Sequence, residues 1–355
     1  MIKSTLRQRI RRVRRSKTCG MLVYCVFVLL SLPALARSTN GSLYAIQTPN
    51  NGMPALTTPG GSFDAMIASK GELQLSAGDR LIPLTAQWED APGEYALAHC
   101  RIPADIPPGT YALQWKNADL SDINVRSVFV YAAFPEYYSI AHVSDTHLGK
   151  RASTEATNTA VIQAVNASGA VLAAVTGDLT ESGDDAQFRD FLRVLDTCTL
   201  PTFVCPGNHD RQPGKYEQFF GPTCYMFGFG RDGYISFDTK DFSAAGDLGP
   251  QDGLLETYRR ALKPSRWVVG LTHRYEAMQG MRSQLTLFSD DPLDCLLFGH
   301  WHRENTAEQR TVPWGTTPIT VVPAAVNGKY RIIDVTEKGL LPRPFSEVQQ
   351  APEPK

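Results

Sequence analysis

Five short apolar runs after residue 137 each end in a polar turn that contains histidine or aspartate. The clearest is the run over 202–205, which breaks at Pro206-Gly207 and presents Asn208, His209 and Asp210. Apolar strands that alternate with amphipathic helical segments predict an α/β fold from about residue 137 onward. In such sheets ligands gather outside the carboxyl ends of the strands, so these polar groups are expected to converge.

The other four runs follow the same pattern, and the adjacent glycines would let the backbone turn sharply and approach the site. Helices are predicted over 154–167, 185–195 and 252–262, further strands near 233–238, 319–322 and 330–335, and a long loop over 216–231 that borders a cleft. The motifs hold five of the seven histidines of the chain: Asp145-x-His147, Gly177-Asp178, His273, and Gly299-His300-x-His302, beside the Asn-His-Asp turn.

The part of the chain before these motifs has a different character. Residues 42–134 contain short alternating runs between Pro and Gly turns and no convincing helix, which predicts a small β-sandwich of immunoglobulin type. No polar cluster suggests chemistry there, so a structural or adhesive role is expected. The formal net charge is −1, but eight of the 35 basic residues lie in the first seventeen positions. The remainder is acidic, which argues against a broad nucleic-acid-binding face.

The N-terminus has the pattern of a secretory signal peptide. A basic start is followed by the apolar run from Met21 to Leu32 and then by Ala34-Leu35-Ala36. This predicts cleavage after Ala36 and a secreted or periplasmic protein. The alternative is an uncleaved membrane anchor, although the run is shorter than the roughly 20 residues of a spanning helix. After cleavage an odd number of cysteines remains, of which Cys198 and Cys224 flank the Asn-His-Asp turn and could pair. The region after residue 340 is rich in proline, which predicts a disordered tail over 341–355.

Taken together, the five motifs resemble the full signature of the calcineurin-like metallophosphoesterase superfamily. The resemblance covers residues 139–335 and implies a four-layer α/β/β/α sandwich over 137–340, with two packed sheets flanked by helices. It also implies a two-metal centre. By this resemblance Asp145, His147 and His302 would hold one metal, Asn208, His273 and His300 the second, and Asp178 would bridge them.

Carboxylate, imidazole and amide ligands without thiolate suit two metal ions such as Mn, Fe or Zn. Two such metals can clamp a phosphoryl group and lower the pKa of a bridging water, so that hydroxide attacks phosphorus. His209 would then assist the leaving oxygen as general acid or electrostatic stabiliser. Asp210 would orient His209 from behind; the alternative is that Asp210 is a turn residue.

The motif spacing most resembles the branch that holds cyclic-nucleotide phosphodiesterases. A phosphodiesterase acting on a small phosphate ester, possibly a nucleotide, is therefore the first prediction. A phosphomonoesterase is the second, and a non-catalytic surface or adhesion protein on the same scaffold is the third. The segment Gly177-Asp178-Leu179-Thr180 lacks the tyrosine ligand expected of purple acid phosphatases, which counts against that branch. Arg211, Arg274 and Trp301 are candidates for contact with a phosphate or a base, although the preferred interpretation of each is an ordinary cleft-edge or packing residue.

Overall fold

The computed structural model describes residues 41–91, 95–238, 252–274, 286–312 and 315–353. The predicted signal peptide, residues 1–36, lies outside the described residues. No helix among the described residues is long and apolar enough to cross a membrane.

The first part of the described chain is built from strands alone, as the turn-rich sequence predicts. The strands are β1 (Ile46–Thr48), β2 (Ala55–Thr57), β3 (Ser62–Ile67), β4 (Glu72–Ala77), β5 (Arg80–Pro83), β6 (Thr85–Asp90), β7 (Ala96–Arg101), β8 (Gly109–Lys116) and β9 (Ser121–Val130). They form two sheets, in the orders β1-β3-β7-β6 and β2-β9-β8-β4-β5. Inward and outward residues alternate along β3 and β8, and Leu75, Leu113 and Trp115 meet in the core between the sheets. The immunoglobulin-like topology stays a prediction.

The second part mixes strands and helices, so the predicted α/β class is confirmed. Its elements are β10 (Tyr138–Val143), α1 (Thr154–Asn166), β11 (Leu172–Thr176), α2 (Asp185–Leu195), β12 (Thr202–Cys205), α3 (Lys215–Phe220), β13 (Tyr225–Phe229), β14 (Asp232–Ser236), α4 (Asp252–Ala261), β15 (Val268–Leu271), β16 (Cys295–Phe298), β17 (Ile319–Val321), β18 (Lys329–Thr336), β19 (Gly339–Pro342) and β20 (Ser346–Glu347). Short 3₁₀ turns lie at Asn208–Asp210, Ala307–Gln309 and Ala325–Asn327, and a π turn lies at Thr286–Asp290.

Two sheets carry this part of the molecule. One has the order β12-β11-β10-β18-β19, with β20 also paired to β18, and the other has the order β13-β14-β15-β16-β17. The strands β10, β11 and β12 are mutually parallel, and so are β14, β15, β16 and β17. Parallel strands that are covered on both faces are apolar throughout, and β11, β12, β15 and β16 are buried at every position.

Three apolar cores hold these sheets and helices together. Ile140 and Phe203 from the first sheet meet Leu271 and Leu297 from the second in the core between the sheets. On the outer face of the first sheet a second core joins β10 to β12 with α1, α2 and α3. A third core packs Leu255 of α4 against the second sheet. Each sheet therefore has helices on its outer face and the other sheet on its inner face.

The helices form where apolar residues recur at helical spacing. In α2, Phe188, Phe191, Leu192 and Leu195 lie on one buried face, as the sequence predicts. The prediction of a long loop over 216–231 is wrong, because α3 and β13 lie there. The aromatic side chains of this segment contribute to the core: Phe219 stacks on Phe188 with ring centroids 5.1 Å apart, and both are buried.

The β-sandwich is joined to the α/β part by partly buried polar contacts. The Arg126 guanidinium donates across the junction to the carbonyl oxygens of Leu195 and Leu200 at 2.6 and 2.9 Å, and within the β part to Asn51 Oδ1 at 2.9 Å. Tyr131 donates its hydroxyl to the Val171 carbonyl at 2.8 Å. Partly buried donors of the β part thus find acceptors across the junction, which fixes one element against the other.

Two further sequence predictions differ from the structure. Residues 341–353 are ordered against the domain: Val348 N donates to the Gly328 carbonyl at 2.8 Å, and Ala351 N donates to Thr157 Oγ1 at 3.0 Å, so the predicted disordered tail is wrong over this range. Cys198 and Cys224 are both buried and are not joined to each other, so the suggested disulfide is absent as well. Each cysteine packs in an apolar core, where a thiol behaves as a small hydrophobe.

Candidate metal centre

The polar motifs lie at the carboxyl ends of strands from both sheets. Asp145 and His147 follow β10, Asp178 follows β11, and Asn208 and His209 follow β12. In the second sheet His273 follows β15, and His300 and His302 follow β16. The two sheets pack face to face, so these ends meet at one edge of the domain, as the position of the motifs predicts.

One group of side chains is formed by Asp145, His147, Asp178 and His302. His302 Nε2 lies 2.9 Å from Asp145 Oδ1 and 3.2 Å from His147 Nε2. His147 Nε2 lies 3.6 Å from Asp178 Oδ2. The donor atoms thus point at a common centre from two sheets.

A second group is formed by Asp178, His273 and His300, so Asp178 belongs to both. His273 Nε2 lies 3.1 Å from Asp178 Oδ2, and the rings of His273 and His300 are 5.1 Å apart at an angle of 80°. Asn208 Oδ1 is buried and has no hydrogen-bond partner. This arrangement places a carboxylate between two sets of ligand atoms.

The backbone at these positions is in a conformation that L-residues rarely adopt. Asp145, His147, Asp178, His300 and His302 have φ between 45° and 66°, and Arg126 is the one other non-glycine residue with positive φ in the part of the chain that the structure describes. Left-handed backbone costs a non-glycine residue roughly 1–2 kcal/mol. Strain of this kind concentrates at functional sites, where the surrounding structure enforces it.

Two glycines allow the loops to approach each other. A Cβ at Gly207 would lie 2.1 Å from the backbone nitrogen and from Oδ1 of Asp178, and one at Gly299 would lie 1.9 Å from Ser144 Oγ. Neither position has room for a larger residue. The glycines of the motifs therefore serve close packing between the loops, as the sequence suggested.

Neighbouring groups fix the orientation of the imidazoles. His147 Nδ1 lies 2.7 Å from Glu181 Oε2, an ion-pair contact in which neither atom forms a hydrogen bond, and His273 Nδ1 is hydrogen-bonded to the carbonyl oxygen of Thr176 at 2.7 Å. The acceptor at His273 Nδ1 holds the proton there, which is the usual support for a metal-binding histidine. The Glu181 carboxylate acts on His147 through its charge. Glu181 was not predicted from the sequence. The signal that could have revealed it is its place three residues after Asp178, in the same turn.

His209 is held by the same segment. Its Nδ1 lies 2.6 Å from the Glu181 carbonyl oxygen, and its backbone nitrogen donates to Asp178 Oδ1 at 2.9 Å. The His209 ring stands nearly perpendicular to the His147 ring, with centroids 4.7 Å apart. His209 is partly exposed, so its Nε2 remains available for a proton at the edge of the site.

Asp210 does not orient the His209 side chain, which corrects the first interpretation of this residue. Its buried carboxylate accepts hydrogen bonds from the backbone nitrogens of Leu179, Thr180 and Gly207 at 3.0, 2.9 and 2.8 Å, and from Thr180 Oγ1 at 2.7 Å. Burial raises the pKa of Asp210 to about 6, and the nearby charge of Asp178 adds to this, although the hydrogen bonds oppose it. Asp210 therefore ties the two ligand-bearing turns together.

The donor set fits metal cations. Oxygen and nitrogen atoms that share a cation at about 2.1 Å lie roughly 3 Å apart, and the separations above are of this size. Burial alone would lower the pKa of His273, but the hydrogen bond to Asp178 and the charges of Asp178 and Asp145 raise it to about 9. Burial would raise the pKa of Asp178, and its contacts with His273 outweigh this and lower it. The raised pKa of His273 shows that the buried carboxylates of this site favour positive charge beside them.

Two of the residues considered for contact with a phosphate or base have other partners. The Arg211 guanidinium forms an ion pair with Asp238 and donates to the Gly207 carbonyl at 3.1 Å. Trp301 packs edge-on against Phe298, and Arg303 lies over its ring. Arg274 follows His273 directly. Arg211 and Trp301 therefore support the walls of the site.

The chain matches one family model and is similar in fold to solved structures. Residues 138–304 match the family model described as calcineurin-like phosphoesterase. Among similar solved structures is the purple acid phosphatase PPD1 from yellow lupin (Lupinus luteus) seeds, 13% identical, with a TM-score of 0.50, covering 77% of this chain and 67% of that one. Another is PhoD, 9% identical, with a TM-score of 0.45, covering 90% of this chain and 94% of that one. A search of curated proteins gave no match.

Proposed function

Since residues 138–304 form a calcineurin-like phosphoesterase domain, we propose that this protein is a two-metal hydrolase of phosphoric esters, with phosphodiesters as its first class of substrate. The observation that carries this proposal is the position of Asp178. Its carboxylate belongs to both ligand groups, 3.6 Å from His147 Nε2 and 3.1 Å from His273 Nε2. A bridging carboxylate between two imidazole-rich sets is what a pair of adjacent cations requires.

The proposed ligands divide as the resemblance implied. Asp145, His147 and His302 would hold one metal, Asn208, His273 and His300 the other, with Asp178 shared. When bound, the two cations would supply Lewis-acid stabilisation of the phosphoryl oxygens and a nucleophile at neutral pH. The nitrogen and oxygen donors of both sets suit Mn, Fe and Zn.

His209 is proposed to assist the leaving group. Because the Glu181 carbonyl occupies Nδ1, a proton delivered to the substrate would come from Nε2. The bond from the His209 backbone to Asp178 keeps this ring at a fixed distance from the bridging carboxylate. General acid assistance of this kind contributes about 10²–10⁴-fold to a rate.

The preference for diesters rests on the motifs rather than on the neighbours in structure. The segment Gly177-Asp178-Leu179-Thr180 lacks the tyrosine ligand of purple acid phosphatases, which counts against that branch. The likeness to the lupin enzyme extends to the fold alone. Phosphomonoesterase activity is the alternative, and a non-catalytic role for the domain is the remaining one.

Secretion or export to the periplasm is part of the proposal. It is supported by the basic and then apolar start of the chain, which is followed by Ala34-Leu35-Ala36.

The test is hydrolysis by the chain from residue 37 onward, loaded with Mn, Fe or Zn. Bis-p-nitrophenyl phosphate and p-nitrophenyl phosphate are compared, and metal content is measured on the same samples. Asp178→Asn should lose both metals and turnover, whereas His209→Ala should keep the metals and lose about 10²–10⁴-fold in kcat. His99→Ala, in the β-sandwich, is the matched histidine control and should behave as the parent.

The outcomes separate the alternatives. A higher kcat/KM for the diester supports the first reading, and a higher value for the monoester selects the second. Two bound metals without turnover on either ester would favour the non-catalytic role. A chain that binds no metal would refute the proposal. N-terminal sequencing of the protein recovered from the periplasm or medium tests cleavage after Ala36, and recovery of the intact chain from membranes would contradict it.

A further inference from the structure

A second cavity, of about 430 Å³, lies where the second sheet meets the β18–β19 hairpin. Trp267, Asp294 and Thr320 line it from the starts of β15, β16 and β17, and Arg331 and Lys338 line it from the hairpin side. None of the seven proposed metal ligands is among its lining residues, and neither is His209. The cavity is therefore distinct from the metal centre.

The lining of this cavity is rich in positive charge. Arg310, Arg331 and Lys338 face it, against the single carboxylate of Asp294. Within the described part of the chain, neither the Arg310 nor the Lys338 side chain has an ion pair or hydrogen bond. The Asp294 carboxylate accepts a bond from Val268 N at 2.7 Å, and burial raises its pKa. Unpaired positive charge thus exceeds negative charge around the cavity.

Arg331 is the buried basic residue of the cavity wall. Its residue is 6% exposed, Nη1 donates to the Arg343 carbonyl at 2.7 Å, and Nη2 is paired with Glu304. These contacts hold its guanidinium in place, so the positive charge that is free to meet a ligand comes from Arg310 and Lys338.

The size and walls of the cavity narrow the class of ligand. A volume of about 430 Å³ is much larger than one oxyanion needs and lies in the range of small-molecule sites. Trp267, Ile319 and Leu340 give it apolar walls. The ligand should therefore join a doubly charged head to an organic group.

We propose that this cavity binds the phosphate group of a small phosphorylated molecule. Arg310 and Lys338 would neutralise the dianion and donate to its oxygens, as charged donors do with phosphate. The site is independent of the proposed hydrolase activity, since it uses none of the metal-centre residues.

Calorimetric titration of the metal-loaded mature chain tests this site. Phenylphosphonate, which cannot be hydrolysed as an ester, is the main probe, and inorganic phosphate is the second. We expect saturable binding of phenylphosphonate, tighter than that of phosphate, and a loss of one site per chain or at least tenfold in affinity in Arg310→Gln/Lys338→Gln. Arg260→Gln/Lys263→Gln removes the same charge from exposed positions around the end of α4 and should bind as the parent.

Competitive inhibition of ester hydrolysis by phenylphosphonate reports the metal centre separately, and it should be the same in the parent and the cavity variant. Unchanged titration of the cavity variant would overturn the proposal, as would an equal loss in the control pair. Tighter binding of inorganic phosphate than of phenylphosphonate would overturn the assignment of an organic ligand. If the chain hydrolyses no ester, the titrations remain readable, so failure of the hydrolase proposal and failure of this one are distinguishable.

Discussion

Removal of the Glu181 carboxylate should weaken metal binding at the group that contains His147. The Glu181 oxygen lies 2.7 Å from His147 Nδ1, and Lys150 Nζ lies 3.7 Å from the same oxygen. Partners that orient a ligating histidine are worth about 10–100-fold in metal affinity. The Glu181 side chain is 33% exposed, which favours the lower end of that range. We therefore expect about a tenfold loss in Glu181→Ala, equivalent to about 1.4 kcal/mol.

The chain offers a graded series for this test. Glu181→Gln keeps a side-chain oxygen near His147 but removes the charge, and it should lose no more metal affinity than Glu181→Ala does. The backbone carbonyl of Glu181, which holds His209, is present in every variant. Glu155→Ala removes another partly exposed, paired carboxylate, on α1, and is the matched control.

The assay is metal content after dialysis against a series of chelator concentrations. Glu181→Ala should release one metal per chain at about tenfold lower chelator concentration than the parent, while the second metal is released as in the parent. If Glu181→Ala retains both metals with parental affinity, or if Glu155→Ala loses as much, the orienting role of Glu181 is refuted.

Three further perturbations follow from the described contacts. Gly207→Ala should abolish metal binding or folding, because its Cβ would lie 2.1 Å from Asp178 atoms; retention of two metals per chain would contradict this. His142 is buried, and burial, together with the charge of Arg331, lowers the pKa of its imidazole to about 3. As the pH drops below about 6.5, the unfolded chain therefore takes up a proton at this residue before the folded chain does. The free energy of unfolding should then fall by about 1.4 kcal/mol per pH unit until the pH approaches 3. Urea unfolding between pH 7 and pH 4.5 should show this slope reduced in His142→Leu, and an unchanged slope would exclude His142 as its source. Arg126→Ala should lower the free energy of unfolding by about 2–3 kcal/mol through loss of its bonds across the domain junction, measured by urea denaturation, and a change below about 0.5 kcal/mol would show that the junction does not depend on them.

Local sequence patterns determined much of this fold. The helix over 185–195 and the strand over 202–205 have the predicted bounds, because apolar periodicity and the turn residues that flank these segments act within a few residues. The same patterns placed His, Asp and Asn after strand ends, and parallel pairing then brings them to one edge. Gly207 and Gly299 were visible as motif glycines, but the contacts that exclude a side chain there come from other loops.

Contacts between segments that are distant in the chain were decided by the tertiary structure alone. Asp210 looked like a partner for the adjacent histidine, yet its carboxylate bonds to backbone nitrogens about thirty residues earlier, and Glu181 supports both His147 and His209. The tail after residue 340 is polar and proline-rich, so no local signal predicted its hydrogen bonds to Gly328 and Thr157. Sequence periodicity thus determines which residues form strands and helices, whereas the partners of a buried carboxylate or donor depend on which loops the packing of two sheets brings together.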